Sequence, residues 1–285
     1  MKRVLFSLTA FLAVFAATWA RAADFEVINV WPDVAPGETA EAEKPTLRYL
    51  KPENKTSDAC VIVCPGGAYN NLDKKESDWV ARLFAEHGIT AVVLRYRVPR
   101  REGQAKHLAP WQDAQRAVRV VRARAQEWGV DPNKIGIMGF SAGGHLTLMT
   151  ATTSLTNSYE PIDDIDKLSA SVAFAVPIYP AYVLEDGADG PNSGKGNDSA
   201  MVQDFAFDAN TPPICLFHGD ADVYSPMGSI AVYSKLRTMN VPAELHVFTK
   251  VNHGFVGHVF DEHVGSWPER TLAWLQKLGF VDGGL

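Results

Sequence analysis

From about residue 59 onward, short apolar runs ending at Gly or Pro alternate with segments whose apolar residues recur every three or four positions. Short runs of this kind read as strands buried on both faces, and parallel strands need the crossovers that amphipathic helices supply. The pattern predicts strands over residues 59–64, 89–96, 134–138, 170–178, 213–218 and 243–248. Between them it predicts helices over 79–87, stopped by Gly88, over 142–151 and over 229–239. A long helix opens at Pro110, repeats Trp111, Ala114, Ala117, Val118, Val121 and Ala125 at helical spacing, and closes at Gly129. Residues 25–31 and 46–50 read as two strands of an antiparallel edge. The expected class is α/β, a mostly parallel central sheet with helices on both faces.

With 285 residues, 46% hydrophobic and 21% charged, the chain has material for one large core, and no repeat or linker divides it. A single catalytic domain over 23–285 is expected. Ahead of it, Lys2 and Arg3 precede an apolar run over 4–17 and the small-residue triplet Ala20-Arg21-Ala22. That run is shorter than the ~20 residues a spanning helix needs, and the layout is that of a secretory signal peptide. Cleavage after Ala22 and export, to a periplasm or the exterior, are the expectation. Removing Lys2, Arg3 and Arg21 takes the formal net charge from −6 to −9. Such a surface does not attract nucleic acid or anionic lipid. No later run is long and apolar enough to span a membrane, so the mature chain is expected to be soluble. Cys60 and Cys64 lie four apart in one strand, too far to bridge. These two and Cys215 read as buried free thiols, with a disulfide to Cys215 as the alternative.

Gly139-Phe140-Ser141-Ala142-Gly143 fits the nucleophile pattern G-x-S-x-G, and it sits between an apolar strand and a small-residue helix. That strand–turn–helix setting is what presents a serine hydroxyl above a sheet. A serine hydroxyl needs a base to take its proton, and the base needs a partner to hold its tautomer. His253, in Asn252-His253-Gly254-Phe255 after the last strand, is the candidate base. The acid lies in His218-Gly219-Asp220-Ala221-Asp222, where spacing alone leaves Asp220 and Asp222 both open. An ester oxygen that turns negative needs fixed donors, and the N–H groups of Ala142, Gly67 and Ala68 are placed to supply them. His218 and His145 read as structural, and Asp113 and Arg116 as helix anchors. Tyr69, Trp111, Tyr179 and Trp267 are candidates to stack on a sugar, although core packing is the commoner use of such rings. No cofactor motif is present, and residues 258–263 fit neither H-E-x-x-H nor H-x-x-E-H, so no metal is expected. The Gly-, Asp-, Asn- and Ser-rich stretch at 182–211 is long for a connection and reads as a lid or binding loop.

Taken in order, Cys64-Pro65-Gly66-Gly67-Ala68-Tyr69, Arg95-Tyr96-Arg97, Asp113-Ala114-Gln115-Arg116-Ala117, Gly139 to His145, His218-Gly219-x-x-Asp222 and His253-Gly254-Phe255 resemble the acetyl-esterase and acetylxylan-esterase-like branch of the α/β hydrolases. The resemblance runs from about residue 59 to the C-terminus, and its H-G-x-x-D pattern selects Asp222 as the acid. It implies an α/β-hydrolase fold, a serine mechanism through an acyl-enzyme, and a small-molecule or glycan ester as substrate, such as acetylated xylan. Tyr69, beside the oxyanion loop, is the substrate-binding candidate. Two departures stand out: Pro65-Gly66-Gly67-Ala68 replaces the H-G-G-G of related esterases, and no large cap domain is evident. The competing expectations are a serine peptidase of the prolyl-oligopeptidase type and a binding protein that keeps the fold without the activity.

Overall fold

A computed structural model describes residues 24–191, 199–258 and 261–281. The signal peptide expected over 1–22 lies outside the described residues, and no described helix is long and apolar enough to cross a membrane. Eight strands form one sheet: β1 (Glu26–Asn29), β2 (Thr46–Leu50), β3 (Cys60–Cys64), β4 (Thr90–Arg95), β5 (Ile135–Phe140), β6 (Ala175–Ile178), β7 (Ile214–Gly219) and β8 (Ala243–Phe248). Their order across the sheet is β1-β2-β4-β3-β5-β6-β7-β8. β2 pairs antiparallel with both β1 and β4, and every other pairing is parallel. The antiparallel edge and the α/β class are as expected.

The helices are α1 (Lys74–Glu86), α2 (Leu108–Ala123), α3 (Ala125–Trp128), α4 (Ala142–Thr152), α5 (Met227–Thr238) and α6 (Trp267–Lys277). Alternate residues of the central strands feed two cores, as a pleated strand covered on both sides requires. Ile62, Val92 and Leu94 share one core with Val118 of α2, Leu146 of α4 and Val232 of α5. Val61, Val63 and Val93 share the other with Phe84 of α1 and Leu275 of α6. The three cysteines are free and buried, and burial pushes the Cys60 thiol up to about 12.

Four elements differ from expectation, the first being α1, which starts at Lys74 and not at Trp79. The long helix breaks at Arg124 into α2 and α3, and Gly129 closes α3 in the left-handed region at φ +62°. β6 starts at Ala175 and not near 170, because only the last four residues pair with β5. α6 was not anticipated. Its signal was nonetheless present: Pro268 in the first turn, then Thr271, Leu272, Trp274 and Leu275 buried at helical spacing.

α2 is fastened to the N-terminal segment by buried charge. The Asp113 carboxylate accepts from Trp31 Nε1 at 2.7 Å, from the Arg97 backbone N–H at 2.8 Å and from Arg97 Nε at 3.0 Å. The two side chains are 0% and 1% exposed. Arg116 donates to both oxygens of Asp163 at 2.6 Å. Both residues anchor a helix, as their place in the sequence implied. Removing one partner of a buried pair strands the other without water, so Asp113→Ala should cost roughly 3–5 kcal/mol. Chemical denaturation checks this; a loss below about 1 kcal/mol, the range of an exposed pair, would contradict it.

Candidate active site

β5 delivers the chain to Ser141, and α4 begins at the next residue. Ser141 has φ +55°, a left-handed conformation that costs a residue with a side chain about 1–3 kcal/mol and persists only where its surroundings enforce it. Here the enforcement is close backbone packing. A Cβ on Gly139 would lie 2.3 Å from the Gly143 carbonyl oxygen, and one on Gly143 2.2 Å from that of Cys64. Ser141 N–H donates to Ile178 O at 3.1 Å, and its carbonyl accepts from His145 and Ala181. Only glycines allow the end of β3, the turn and the start of α4 to meet this closely.

The loops after β7 and β8 bring two side chains to that serine. His253 Nε2 lies 2.7 Å from Ser141 Oγ, and His253 Nδ1 lies 2.7 Å from Asp222 Oδ2 and 2.9 Å from Oδ1. The Asp222 side chain is fully buried, and Tyr224 N–H also donates to it at 2.8 Å. Burial alone pushes this carboxyl up, but hydrogen bonds from His218 and His253 outweigh it and hold it below the usual carboxylate range. His218 is itself fixed: Nε2 donates to Tyr224 O at 2.9 Å, and Nδ1 meets Ser229 Oγ at 2.7 Å. Asp220, the other carboxylate of this loop, is exposed and accepts from the Lys250 backbone N–H instead. It is Asp222 that touches the histidine.

On the other side of Ser141 stands the loop after β3. A Cβ on Gly66 would come 3.4 Å from Ser141 Cβ, so this backbone passes directly beside the hydroxyl-bearing residue. Gly67, Ala68 and Tyr69 have successive φ values of +122°, +56° and +60°. The turn is held through Gly67 O, which accepts from Asn70 and Asn71 N–H, and through Ala68 O, which accepts from Arg100 Nε at 2.9 Å. Among the described residues no backbone carbonyl accepts from the N–H of Gly67, Ala68 or Ala142. Gly67, Ala68, Ser141 and His253 line one cleft of about 750 Å³, joined by Asn70 and Tyr224.

Tyr69 does not reach this cleft and needs correcting as a substrate-binding residue. Its ring is 0% exposed, its hydroxyl lies 3.0 Å from His145 Nδ1, and it packs against Tyr96 and Tyr182. A phenol ring gains more from burial with its hydroxyl satisfied than from exposure at a rim. Trp267 is likewise buried, with Nε1 donating to Val256 O, whereas Tyr179 lines the cleft with its ring centroid 4.9 Å from that of His253. The 182–211 stretch contributes no described residue to the cleft, which is bounded by residues 70–74 instead. It folds back on itself through the Leu184–Met201 bridge, and its described part holds a single turn of 3₁₀ helix and no cap domain. Arg100, Asn70 and Tyr224 were missed by sequence reasoning; each acts through a loop backbone or a turn that no local pattern announces.

The BD-FAE family profile matches residues 48–188. The chain is 29% identical over 247 residues to an acetylxylan esterase of Xylanibacter ruminicola, covering 80% of this chain and 46% of that protein. It is 27% identical over 228 residues to endo-1,4-beta-xylanase B of Butyrivibrio fibrisolvens, covering 77% of this chain and 35% of that one. It thus spans less than half the length of these curated relatives. Among solved structures, an acetyl ester-xyloside bifunctional hydrolase from Caldicellulosiruptor lactoaceticus superposes with a TM-score of 0.76 at 28% identity, over 92% of this chain and 100% of that one. A Thermogutta terrifontis esterase at 24% identity and TM-score 0.71 shares the fold, over 92% of this chain and 94% of that one. With its sheet order and its β5–α4 turn, the chain has the α/β-hydrolase fold, and it is similar to acetylxylan esterases and related ester hydrolases.

Proposed function

We propose that this chain is a serine esterase that removes short acyl groups, acetate foremost, from carbohydrate esters. The observation that carries the reading is the unbroken relay from Ser141 Oγ to His253 Nε2 and from His253 Nδ1 to Asp222, 2.7 Å at each step. Ser141 Oγ attacks the ester carbonyl while His253 Nε2 takes its proton. Asp222 accepts from Nδ1–H, which fixes the tautomer and stabilises the imidazolium that forms. The carbonyl oxygen, now negative, turns toward the N–H groups of Ala142, Gly67 and Ala68, which have no backbone carbonyl partner among the described residues. The imidazolium then gives its proton to the sugar oxygen as the carbon–oxygen bond breaks, so the sugar departs with a free hydroxyl and an acetyl-Ser141 ester remains. Water, deprotonated by the same histidine, releases acetate and restores the serine.

Two things support a carbohydrate ester. The relatives named as an acetylxylan esterase, a xylanase and an acetyl ester-xyloside hydrolase act on such material by their names, and Asn70, Asn71 and Lys74 give the cleft a polar rim on which sugar hydroxyls can bind. Tyr179 and Tyr224 stand beside His253 and are placed to limit acyl length. Export through a signal peptide at 1–22 would bring the enzyme to its polymeric substrate.

Ser141→Ala should retain its fold and lose on the order of 10⁶ in kcat, as removal of a triad nucleophile does. Near-normal turnover would refute the assignment. Asp222→Asn should lose far more activity than Asp220→Asn, with both variants folded by circular dichroism; the opposite ranking would transfer the role to Asp220.

Substrate choice is tested with acetyl, butyryl and octanoyl esters of one leaving group. Each buried methylene adds only ~0.8 kcal/mol of attraction, so a strong preference for acetate has to come from steric exclusion. Acetyl esters should turn over fastest, and acetylated xylan should release acetate. Faster octanoyl turnover without acetate from the glycan would place the enzyme among lipases.

A further inference from the structure

His107 lies just ahead of α2, His145 one turn along α4 from Ser141, and Asp204 in the connection after β6. Far apart in sequence, they converge on one point. Asp204 Oδ2 is 3.5 Å from His107 Nδ1 and 3.7 Å from His145 Nε2, and the three atoms lie within 4.8 Å of one another. Both ring nitrogens are buried, and among the described residues neither has a partner at hydrogen-bond distance. The His145 side chain is 0% exposed and that of His107 12%. Buried polar atoms are normally satisfied, so two unpartnered nitrogens aimed at one carboxylate oxygen call for a shared partner.

The separations say what kind. They are too long for direct hydrogen bonds of useful strength. Ligand atoms about 2.0–2.1 Å from a tetrahedral zinc ion stand about 3.3 Å from each other, so both histidine–carboxylate separations are within a few tenths of an ångström of that spacing, and a modest closing of the two rings would seat all three atoms on one ion. Two imidazoles and a carboxylate are a donor set that suits zinc, whereas calcium and magnesium take oxygen-rich shells. The outer contacts also fit. His145 Nδ1 lies 3.0 Å from the Tyr69 hydroxyl, so a ring protonated at Nδ1 donates there and leaves its Nε2 lone pair free for the ion. Asp204 is 36% exposed and gives solvent access on one side, leaving a fourth position for water. Lys106 adds a positive charge nearby, but its ammonium lies over the Tyr182 ring at 4.9 Å and Asp189 shares in balancing it.

We propose that His107 Nδ1, His145 Nε2 and Asp204 Oδ2 form a zinc site that fastens the connection after β6 onto the start of α2 and onto α4. Through Tyr69 the same site braces the loop that carries Gly67 and Ala68. It stands independently of the esterase reading, because its readout is bound metal and stability.

The test strips the purified protein with a chelator, then titrates wild type, His107→Ala and Asp204→Asn with zinc sulfate at neutral pH by calorimetry and thermal melting. Wild type should take up one equivalent of zinc with micromolar or tighter affinity, and its Tm should rise by several degrees with zinc concentration. Each folded variant should bind at least roughly 100-fold more weakly and lose that rise. Magnesium should give neither effect. No stoichiometric uptake by wild type would overturn the proposal and leave a bridging water as the partner. Unchanged binding in both variants would overturn it too, placing zinc elsewhere, for instance at Cys215, Glu244 and His246.

Discussion

Everything at the site depends on one close backbone contact, that between the end of β3 and the turn joining β5 to α4. Gly139 and Gly143 lie so near the Gly143 and Cys64 carbonyls that no Cβ fits at either position. That contact keeps Ser141 at φ +55° and lifts its side chain out of the sheet plane toward His253. It also brings the Gly66–Ala68 backbone alongside, so Ser141 and the proposed oxyanion donors are positioned by the same packing. The parallel sheet makes this possible: the strand order turns back at β3, where β4 and β5 flank it, and the crevice at the carboxyl ends opens there.

A rigid turn alone would not align a relay, and the acid loop shows what else is needed. His218 is held at both nitrogens, Tyr224 contributes its N–H to Asp222 and its carbonyl to His218, and the carboxylate is closed off from water. Two hydrogen-bonded imidazoles overcome the cost of that burial and keep the group ionised. Arg100 plays the matching part on the opposite wall, joining Ala68 O to the Tyr182 hydroxyl. The small N-terminal sheet edge is tied down separately, by Asp113, Arg97 and Trp31.

Ser141 and His253 were legible because their signals are local: a strand, a glycine-flanked turn and a helix for one, the last strand and a glycine loop for the other. Asp220 and Asp222 stayed open to residue reasoning because position in a turn does not say which carboxylate faces inward; only the register of the loop against Lys250 settles it. Tyr69 was misplaced for a related reason. Its side chain follows a backbone at positive φ, and sequence cannot tell whether such a turn aims a ring outward or into the core. The strand–helix alternation told the sheet's class and most of its elements, yet α6 went unread although its periodicity was present. The His107, His145 and Asp204 cluster had no spacing to betray it, since three separate elements supply it.

Covalent labelling with a fluorophosphonate reports most directly on whether the Ser141–His253–Asp222 relay activates a nucleophile, because it needs no knowledge of the natural ester. Peptide mapping of folded protein should find one modified serine, Ser141, with labelling suppressed by unfolding and slowed by orders of magnitude in His253→Ala. An unmodified Ser141 in folded protein, or equal rates in wild type and His253→Ala, would contradict the account.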